Sequence, residues 1–258
     1  MVTVVISTAN ESLNIKDCVQ SARLLTDHVL LVDMQSTDNT VEIAKTEGTK
    51  VLSVPPSGYV EPVRKLGITE AQDDWVFILD ADERISPKLA SEVRQIVDLP
   101  TEDNVPTHYF IPRKNIFGKT WLRHGGWYPD EQIRLIKKSA FRDWPQRIHS
   151  TPQIEGTAGH LTNAIVHYFH GNLTQMVAKT VKYESIESGL LYDAKRPVNT
   201  LTFFRKFTGE LFRRLIKHQG FRDGMMGWIE SIYQAYSKTI TYLFLYEKYG
   251  DQKITSQH

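Results

Sequence analysis

Residues 75–84 read Trp75-Val76-Phe77-Ile78-Leu79-Asp80-Ala81-Asp82-Glu83-Arg84. Five consecutive apolar residues, β-branched and aromatic among them, make the kind of run that a strand buried on both faces of a parallel sheet requires. The run passes without a break into acids, and in open parallel sheets ligands sit outside the carboxyl ends of the strands. Ser86-Pro87 then has the chemistry of a helix start, with Ser as cap and Pro at the first helical position. Upstream the same alternation repeats. Val2–Ile6 is a predicted strand, followed by the polar loop Ser7-Thr8-Ala9-Asn10-Glu11 and a helix through about Leu25. Val29–Val32 is a second strand, ending at Asp33, and the loop Gln35-Ser36-Thr37-Asp38-Asn39 leads into a helix from Thr40 to Glu47, with Gly48 where a C-terminal cap is expected. Lys50–Val54 is a third strand and Pro62–Ala71 a helix. Strands alternating with helices imply βαβ units, so the first hundred residues predict a doubly wound α/β half-domain.

Beyond Pro100 the periodicity weakens. Tyr109–Pro112 and Gln132–Ile136 read as strands, separated by a loop rich in Gly, Trp and Pro, and from about Gly171 only helices are predicted. The expected organisation is an α/β domain over residues 1–170 and a helical region over 171–258. A chain of 258 residues, 41% hydrophobic and 24% charged, with 15 Gly and 11 Pro, excludes a disordered segment, a collagen-like repeat and a small stapled scaffold. The single cysteine, Cys18, excludes an intrachain disulfide framework and a thiolate zinc site, and fits a reducing, cytoplasmic address. No run approaches the ~18 apolar residues of a membrane span, and Val2–Ile6 reads as a strand rather than as a signal peptide. The net charge of +1 hides an asymmetry. Residues 1–170 hold 18 Lys and Arg against 22 Asp and Glu, whereas residues 171–258 hold 13 against 8.

Three strands end in groups that can do chemistry. Asn10 and Glu11 follow the first, Asp33 the second, and Asp80 and Asp82 the fourth. The first loop lacks the Gly-x-Gly-x-x-Gly turn of a dinucleotide site, and the chain has no Gly-x-x-x-x-Gly-Lys loop. Two aspartates one residue apart can aim carboxylates at one hard divalent cation, and Mg²⁺ or Mn²⁺ in turn bridges phosphate oxygens. The plain alternative is a solvated acidic turn capping a buried strand. A phosphatase-type Asp-x-Asp would follow the first strand rather than the fourth.

Together with Val4–Glu11, Leu31–Thr40, Arg64–Ile68 and His124–Leu135, the stretch Ile78–Arg84 resembles family-2 glycosyltransferases of the GT-A fold. His124–Leu135 and Phe221-Arg222-Asp223-Gly224 are similar to the branch containing lipopolysaccharide-core β-1,4-glucosyltransferases. The resemblance implies a Rossmann-like mixed sheet with a helical C-terminal region. It further implies an inverting, metal-dependent transfer of a hexose from a nucleoside-diphosphate sugar, UDP-hexose foremost, to a glycan or glycolipid such as lipopolysaccharide core. Thr8, Asn10, Glu11 and Asp33 would line the nucleotide pocket, with Asp33 reading the base. Arg64 would face the diphosphate, Asp80 would sit at the ribose and the metal edge, and Asp82 would bind the Mg²⁺ or Mn²⁺. The sequence departs from the family at Lys65, where Asn is usual, and at Ser150 after His149, where the branch has Glu. His149, His167 and His170 lie where some GT-A enzymes supply a third metal ligand, although a His within a strand such as Ile165–Tyr168 is more often a packed one.

Inverting transfer needs a base opposite the leaving group to take the acceptor's proton. Asp130 is the expected base, with Glu131 next in line, because it follows a Gly-Gly-Trp-Tyr-Pro loop whose Trp127 and Tyr128 can stack on a sugar face. Its alternative is a simple ion pair with Arg134 or Arg123. Two rivals to a transferase share the pocket: a sugar nucleotidyltransferase, and a non-catalytic protein that binds sugar nucleotides or a lipid surface.

The C-terminal region has its own pattern. Between Arg196 and Arg222 stand seven basic residues and one acid, Glu210. On a helix, Phe203, Phe204, Phe207, Leu211 and Leu215 fall on one side and Lys206, Arg213 and Lys217 opposite, which reads as a helix lying in an anionic membrane surface. The alternative is a helix packing its apolar side on protein with a solvated basic face. No nucleic-acid module accompanies these charges.

Overall fold

The computed structural model describes residues 1–57, 59–99, 105–146, 150–170 and 173–255. Contacts divide the chain into two compact units, Met1–Lys114 with Pro129–His167, and Asn115–Tyr128 with Tyr168–His258. The chain therefore passes between units three times, where the sequence suggested one boundary at residue 170.

The first unit contains β1 (Val2–Thr8), α1 (Ile15–Ala22), β2 (Val29–Asp33), α2 (Thr40–Thr46), β3 (Lys50–Ser53), α3 (Glu61–Glu70), β4 (Trp75–Asp80), β5 (Glu83–Arg84) and α4 (Pro87–Val97). These are followed by β6 (His108–Phe117), β7 (Thr120–Trp121), β8 (Asp130–Lys137), β9 (Phe141–Asp143), β10 (Gln153–Ile154), β11 (Ala158–His160) and β12 (Ile165–His170), of which β7 and the ends of β6 and β12 belong to the second unit. The main sheet runs β3-β2-β1-β4-β8-β6-β12-β5. Strands β3, β2, β1 and β4 are parallel, and β8 joins β4 antiparallel, so the sheet is mixed as expected.

Period-two alternation explains the layers. Val4, Ile6, Leu31, Phe77 and Leu79 face one side, packed with Ile15 and Val19 of α1, Ala44 of α2, and Leu89 and Val93 of α4. Val5, Leu30, Val32, Val76 and Ile78 face the other, packed with Val63 and Ile68 of α3. Gly67 permits that second contact, since a Cβ there would lie 2.4 Å from Val5 Cγ1. Ser86 accepts from the Leu89 amide at 3.2 Å and Pro87 opens α4, as its dipeptide predicts. Helix α1 ends at Ala22 rather than near Leu25; Arg23 through Leu25 form a turn.

The second unit adds α5 (Leu173–Asp193), α6 (Thr200–Phe212) and α7 (Gly224–Thr255), with a π-helical turn at Arg213–Lys217 and a 3₁₀ turn at Gly220–Asp223. Helix α6 packs along α7, yet no residue of α6 is fully buried, so its predicted apolar side is covered only in part. Leu215 is buried, and Phe203, Phe207 and Leu211 are half-buried, while Phe204 is exposed. Lys206, assigned by sequence to the solvated face, lies with its ammonium 5.1 Å from the centre of the Tyr242 ring. The Gly-rich loop belongs here as well. Asp223 accepts from the amides of Arg123 and His124 at 2.9 and 2.7 Å and from His124 Nδ1 at 2.6 Å, and the Gly125 amide donates to His218 O. Gly125 and Gly126 both have positive φ, 67° and 80°, which is why two glycines stand in this turn. Two motifs about a hundred residues apart are thus one structural unit.

Candidate functional site

The carboxyl ends of β1, β2 and β4 lie in register, with Thr8 opposite Asp33 and Ser7 opposite Asp80. The expected pocket residues are therefore neighbours, and the structure shows how each is held. Asp33 is buried, and its carboxylate accepts from the Ser36 amide at 3.0 Å and the Ser36 hydroxyl at 2.6 Å. Asn10 adopts a left-handed conformation, φ 57°, and its Oδ1 accepts from the Thr37 amide at 2.7 Å, tying the loop after β1 to the loop after β2. The Glu11 amide donates to Thr40 Oγ1, and its carboxylate accepts from Asn14 Nδ2. Nearby Asp38 has its carboxyl pushed up by burial but drawn further down by donors from Thr40 and Ser12, leaving it below the ordinary carboxylate value. Ser7 Oγ and Thr8 Oγ1 are buried and make no hydrogen bond among the described residues. Hydroxyls in that state are costly unless a ligand or water uses them.

Asp80 is gripped by two arginines. Arg64 Nη2 lies 2.8 and 3.0 Å from its two oxygens, and Arg134 Nη2 lies 2.6 Å from Oδ2. Burial pushes the Asp80 carboxyl up, but the charges of Arg134 and Arg64 outweigh it and hold it far below the usual carboxylate range. Burial likewise works against the charged form of Arg134, and Asp80 and Glu83 more than restore it. Arg64, expected to face a diphosphate, is thus directed at Asp80, with its guanidinium also 5.0 Å from the centre of the Trp144 ring. Asp80, expected at the metal edge, has both oxygens engaged by guanidinium groups. Lys65, where the sequence departs from its relatives, pairs with Asp143 at 2.8 Å.

Glu83 and Arg113 were not singled out by sequence, and Arg134 entered only as a pairing partner for Asp130. Glu83 is fully buried: its Oε2 accepts from the Asp80 amide at 3.0 Å, and its Oε1 receives Arg134 Nη2 at 2.7 Å and Arg113 Nη1 at 3.4 Å. Arg113 turns its Nε and Nη2 to Asp130 Oδ2 at 2.9 and 2.6 Å. Five side chains of alternating charge therefore link Asp80, Arg134, Glu83, Arg113 and Asp130. Burying isolated charges costs several kcal/mol per ion, so such a chain holds only when every member is paired. A sequence signal for it existed: Asp130, Gln132 and Arg134 sit at every second residue of β8, the spacing of one polar face.

Asp130 opens β8 directly opposite Arg113 of β6, and Glu131 stands opposite Pro112. Alternation sends the two acids to opposite faces. Glu131 bonds His160 at 2.9 Å, whereas Asp130 joins the charged chain, with Gln132 Nε2 at 2.9 Å on its Oδ1. The arginines weighed as its partners are used elsewhere: Arg134 on Asp80 and Glu83, and Arg123 over the Trp121 ring at 4.0 Å in the second unit. Trp127 is half-buried there, between the Phe169 ring at 4.7 Å and the Arg214 guanidinium at 5.1 Å; Tyr128 is exposed, edge-on to Trp121.

Among the described residues no group of three His, Cys, Asp or Glu side chains is placed to hold a metal. Asp82 Oδ2 and His167 Nε2 stand 3.6 Å apart, because β12 pairs with β5 and sets His167 opposite Glu83. These two groups would be the ones to hold a divalent cation here, the carboxylate being the ligand type that Mg²⁺ and Mn²⁺ share. His149 and the His170 side chain lie outside the described residues. Arg84 donates to the Ala81 and Glu83 carbonyls, both at 2.9 Å, and so staples the acidic turn.

A mixed sheet whose parallel strands end in this cluster is the GT-A glycosyltransferase architecture. Over 97% of this chain and 92% of the other, it is similar to Staphylococcus aureus TarS 1–349 in complex with UDP-GlcNAc, with a TM-score of 0.50 at 13% identity. The profile of Glycosyl transferase family 2 matches residues 3–152, and the chain belongs to that family. It is 25% identical over 244 residues to a glycosyltransferase of Rickettsia bellii, covering 90% of this chain and 82% of that one. It is also 23% identical over 257 residues to the lipopolysaccharide core biosynthesis glycosyltransferase LpsC of Rhizobium meliloti, covering 93% and 90%.

Proposed function

We propose that the protein is an inverting hexosyltransferase that moves a sugar from a UDP-hexose to a hydroxyl of a glycan or glycolipid, of the lipopolysaccharide-core kind, with Asp130 as base. The observation that carries this reading is the register of β6 and β8, which puts Asp130, and not Glu131, on the face of the sheet that also carries Arg134 and Asp80. Family membership supports the reaction class, the lipopolysaccharide-core role of LpsC supports the acceptor class, and the UDP-GlcNAc held by TarS supports the donor class. Thr8, Asn10, Glu11 and Asp33 form the nucleotide side, where the unsatisfied hydroxyls of Ser7 and Thr8 await partners. Asp82, with His167 beside it, would hold the divalent cation. That cation, when bound, neutralises charge developing on the departing diphosphate. Asp130 accepts the proton of the attacking hydroxyl, and the Arg64–Asp80–Arg134 cluster fixes the floor of the site.

Asp130→Asn tests the assignment. Asn is nearly isosteric but takes no proton at neutral pH, and removal of a general base costs about 10²- to 10⁴-fold in turnover. UDP release from UDP-glucose, with lipopolysaccharide core oligosaccharide as acceptor, is measured beside UDP affinity. Lost turnover with intact affinity is expected. Turnover within a few-fold of wild type, together with collapse in Glu131→Gln, would transfer the role to Glu131.

No helix among the described residues is long and apolar enough to cross a membrane. The second unit nevertheless exposes Phe212, Ile216, Phe221, Met225 and Trp228 along the α6–α7 turn, beside exposed Arg213, Lys217 and Arg222. Aromatic and aliphatic side chains interleaved with cations suit an anionic membrane surface, where a lipid-linked acceptor is met.

A further inference from the structure

We propose that Arg113 is a positioning residue for the base, fixing which carboxylate oxygen of Asp130 is presented for proton transfer. The inference rests on Asp130 as the base and adds a residue that acts through it. Three observations carry it. Arg113 and Asp130 are directly opposed across β6 and β8, so the pair is set by strand register rather than by a chance meeting of surface chains. Both Nε and Nη2 of Arg113 converge on the same oxygen, Oδ2, at 2.9 and 2.6 Å, while Oδ1 accepts from Gln132 at 2.9 Å. Arg113 is itself held from behind: its third nitrogen, Nη1, reaches the fully buried Glu83, whose other partners are Arg134 and the Asp80 amide.

A planar guanidinium held at two edges cannot rotate without breaking bonds at both, so it pins Oδ2, and Gln132 on Oδ1 supplies the second point that sets the carboxylate plane. Among the described residues the charged groups linked along this face include Arg113 of β6, Glu83 of β5, Asp80 of β4 with Arg64 of α3, and Arg134 and Asp130 of β8, whereas Glu131 pairs with His160. A base that is both oriented and kept ionised before the acceptor arrives needs no rearrangement at the moment of transfer, which is the source of most electrostatic preorganisation. The same clamp makes Asp130 a weaker proton acceptor than a solitary carboxylate.

The test uses the full chain with Arg113→Gln and Arg113→Lys, and reads three quantities: UDP affinity with Mn²⁺, UDP release from UDP-glucose with core oligosaccharide, and the Asp130 carboxyl titration by ¹³C NMR, assigned with Asp130→Asn. Expected for Arg113→Gln is unchanged UDP affinity, turnover reduced by about tenfold or more, and an Asp130 midpoint raised by about 1–3 pH units, the usual effect of losing an adjacent cation. Arg113→Lys should recover the midpoint but not the turnover, because an ammonium restores charge without the fork. If Arg113→Gln does not fold, Arg113→Lys carries the test, since only an orienting role separates midpoint from turnover. Unchanged midpoint and turnover in Arg113→Gln, with Asp130→Asn inactive, would overturn the role of Arg113 while leaving the base in place. An active Asp130→Asn would instead remove the base and the inference with it.

Discussion

Glu230 lies in α7, 1% exposed, with its Oε2 accepting from Gln234 Nε2 at 3.2 Å one turn on. Burial pushes its carboxyl from the ordinary 4.5 up to about 6, against smaller pulls downward from Gln234 and from the charge of Arg214. A raised carboxyl binds its proton more tightly in the folded state. Below pH 4.5 both states are protonated and nothing is lost; as pH rises through about 6, the folded protein must ionise a group that the unfolded chain ionises freely. The gap between 4.5 and about 6, at ~1.4 kcal/mol per pH unit, comes to about 2 kcal/mol of stability lost by pH 8. Glu230→Gln keeps the shape and removes the charge. It should therefore match wild type to within a few tenths of a kcal/mol near pH 4.5 and exceed it by about 2 kcal/mol at pH 8. Urea unfolding followed by helical circular dichroism at both pH values measures the difference from the midpoint and slope. A variant that is no more stable at pH 8, or whose advantage is the same at both pH values, would show that burial does not govern this carboxyl.

Asp82→Ala should abolish the Mn²⁺-dependent part of UDP affinity, because it removes the carboxylate beside His167; isothermal titration with and without Mn²⁺ decides, and unchanged metal dependence would take Asp82 out of the site. At the α6–α7 turn, each exposed Lys or Arg should add about 1 kcal/mol to binding of anionic vesicles at low salt, with loss at high salt. Sedimentation with neutral and anionic vesicles checks this, and equal binding to both, or none to either, would refute a lipid-facing role for Arg213, Lys217 and Arg222.

Local chemistry was enough for the α/β half of the fold. The apolar run Trp75–Leu79, the alternating strands before it and the Ser86-Pro87 cap each depend on neighbours within a few residues, so the sequence determined β1 to β4, their helices and the acids at their carboxyl ends. The same holds for the helical C-terminal region. What the sequence could not decide was pairing between segments far apart. The register of β6 with β8 brings Arg113 to Asp130, and the turn at Glu83 brings one buried carboxylate to two arginines that follow it by 30 and 51 positions. Asp223 reaches back to His124 in the same way. The amphipathic helix shows the limit most clearly: one pattern of Phe and Leu against Lys and Arg serves a membrane surface or a packed interior equally well. In the fold Leu215 is buried and Phe207 and Leu211 are half-buried, while Phe212 and Ile216 remain exposed. Periodicity records that a face is apolar, and the free energy of burying it is the same whatever covers it; the tertiary structure alone supplies the cover.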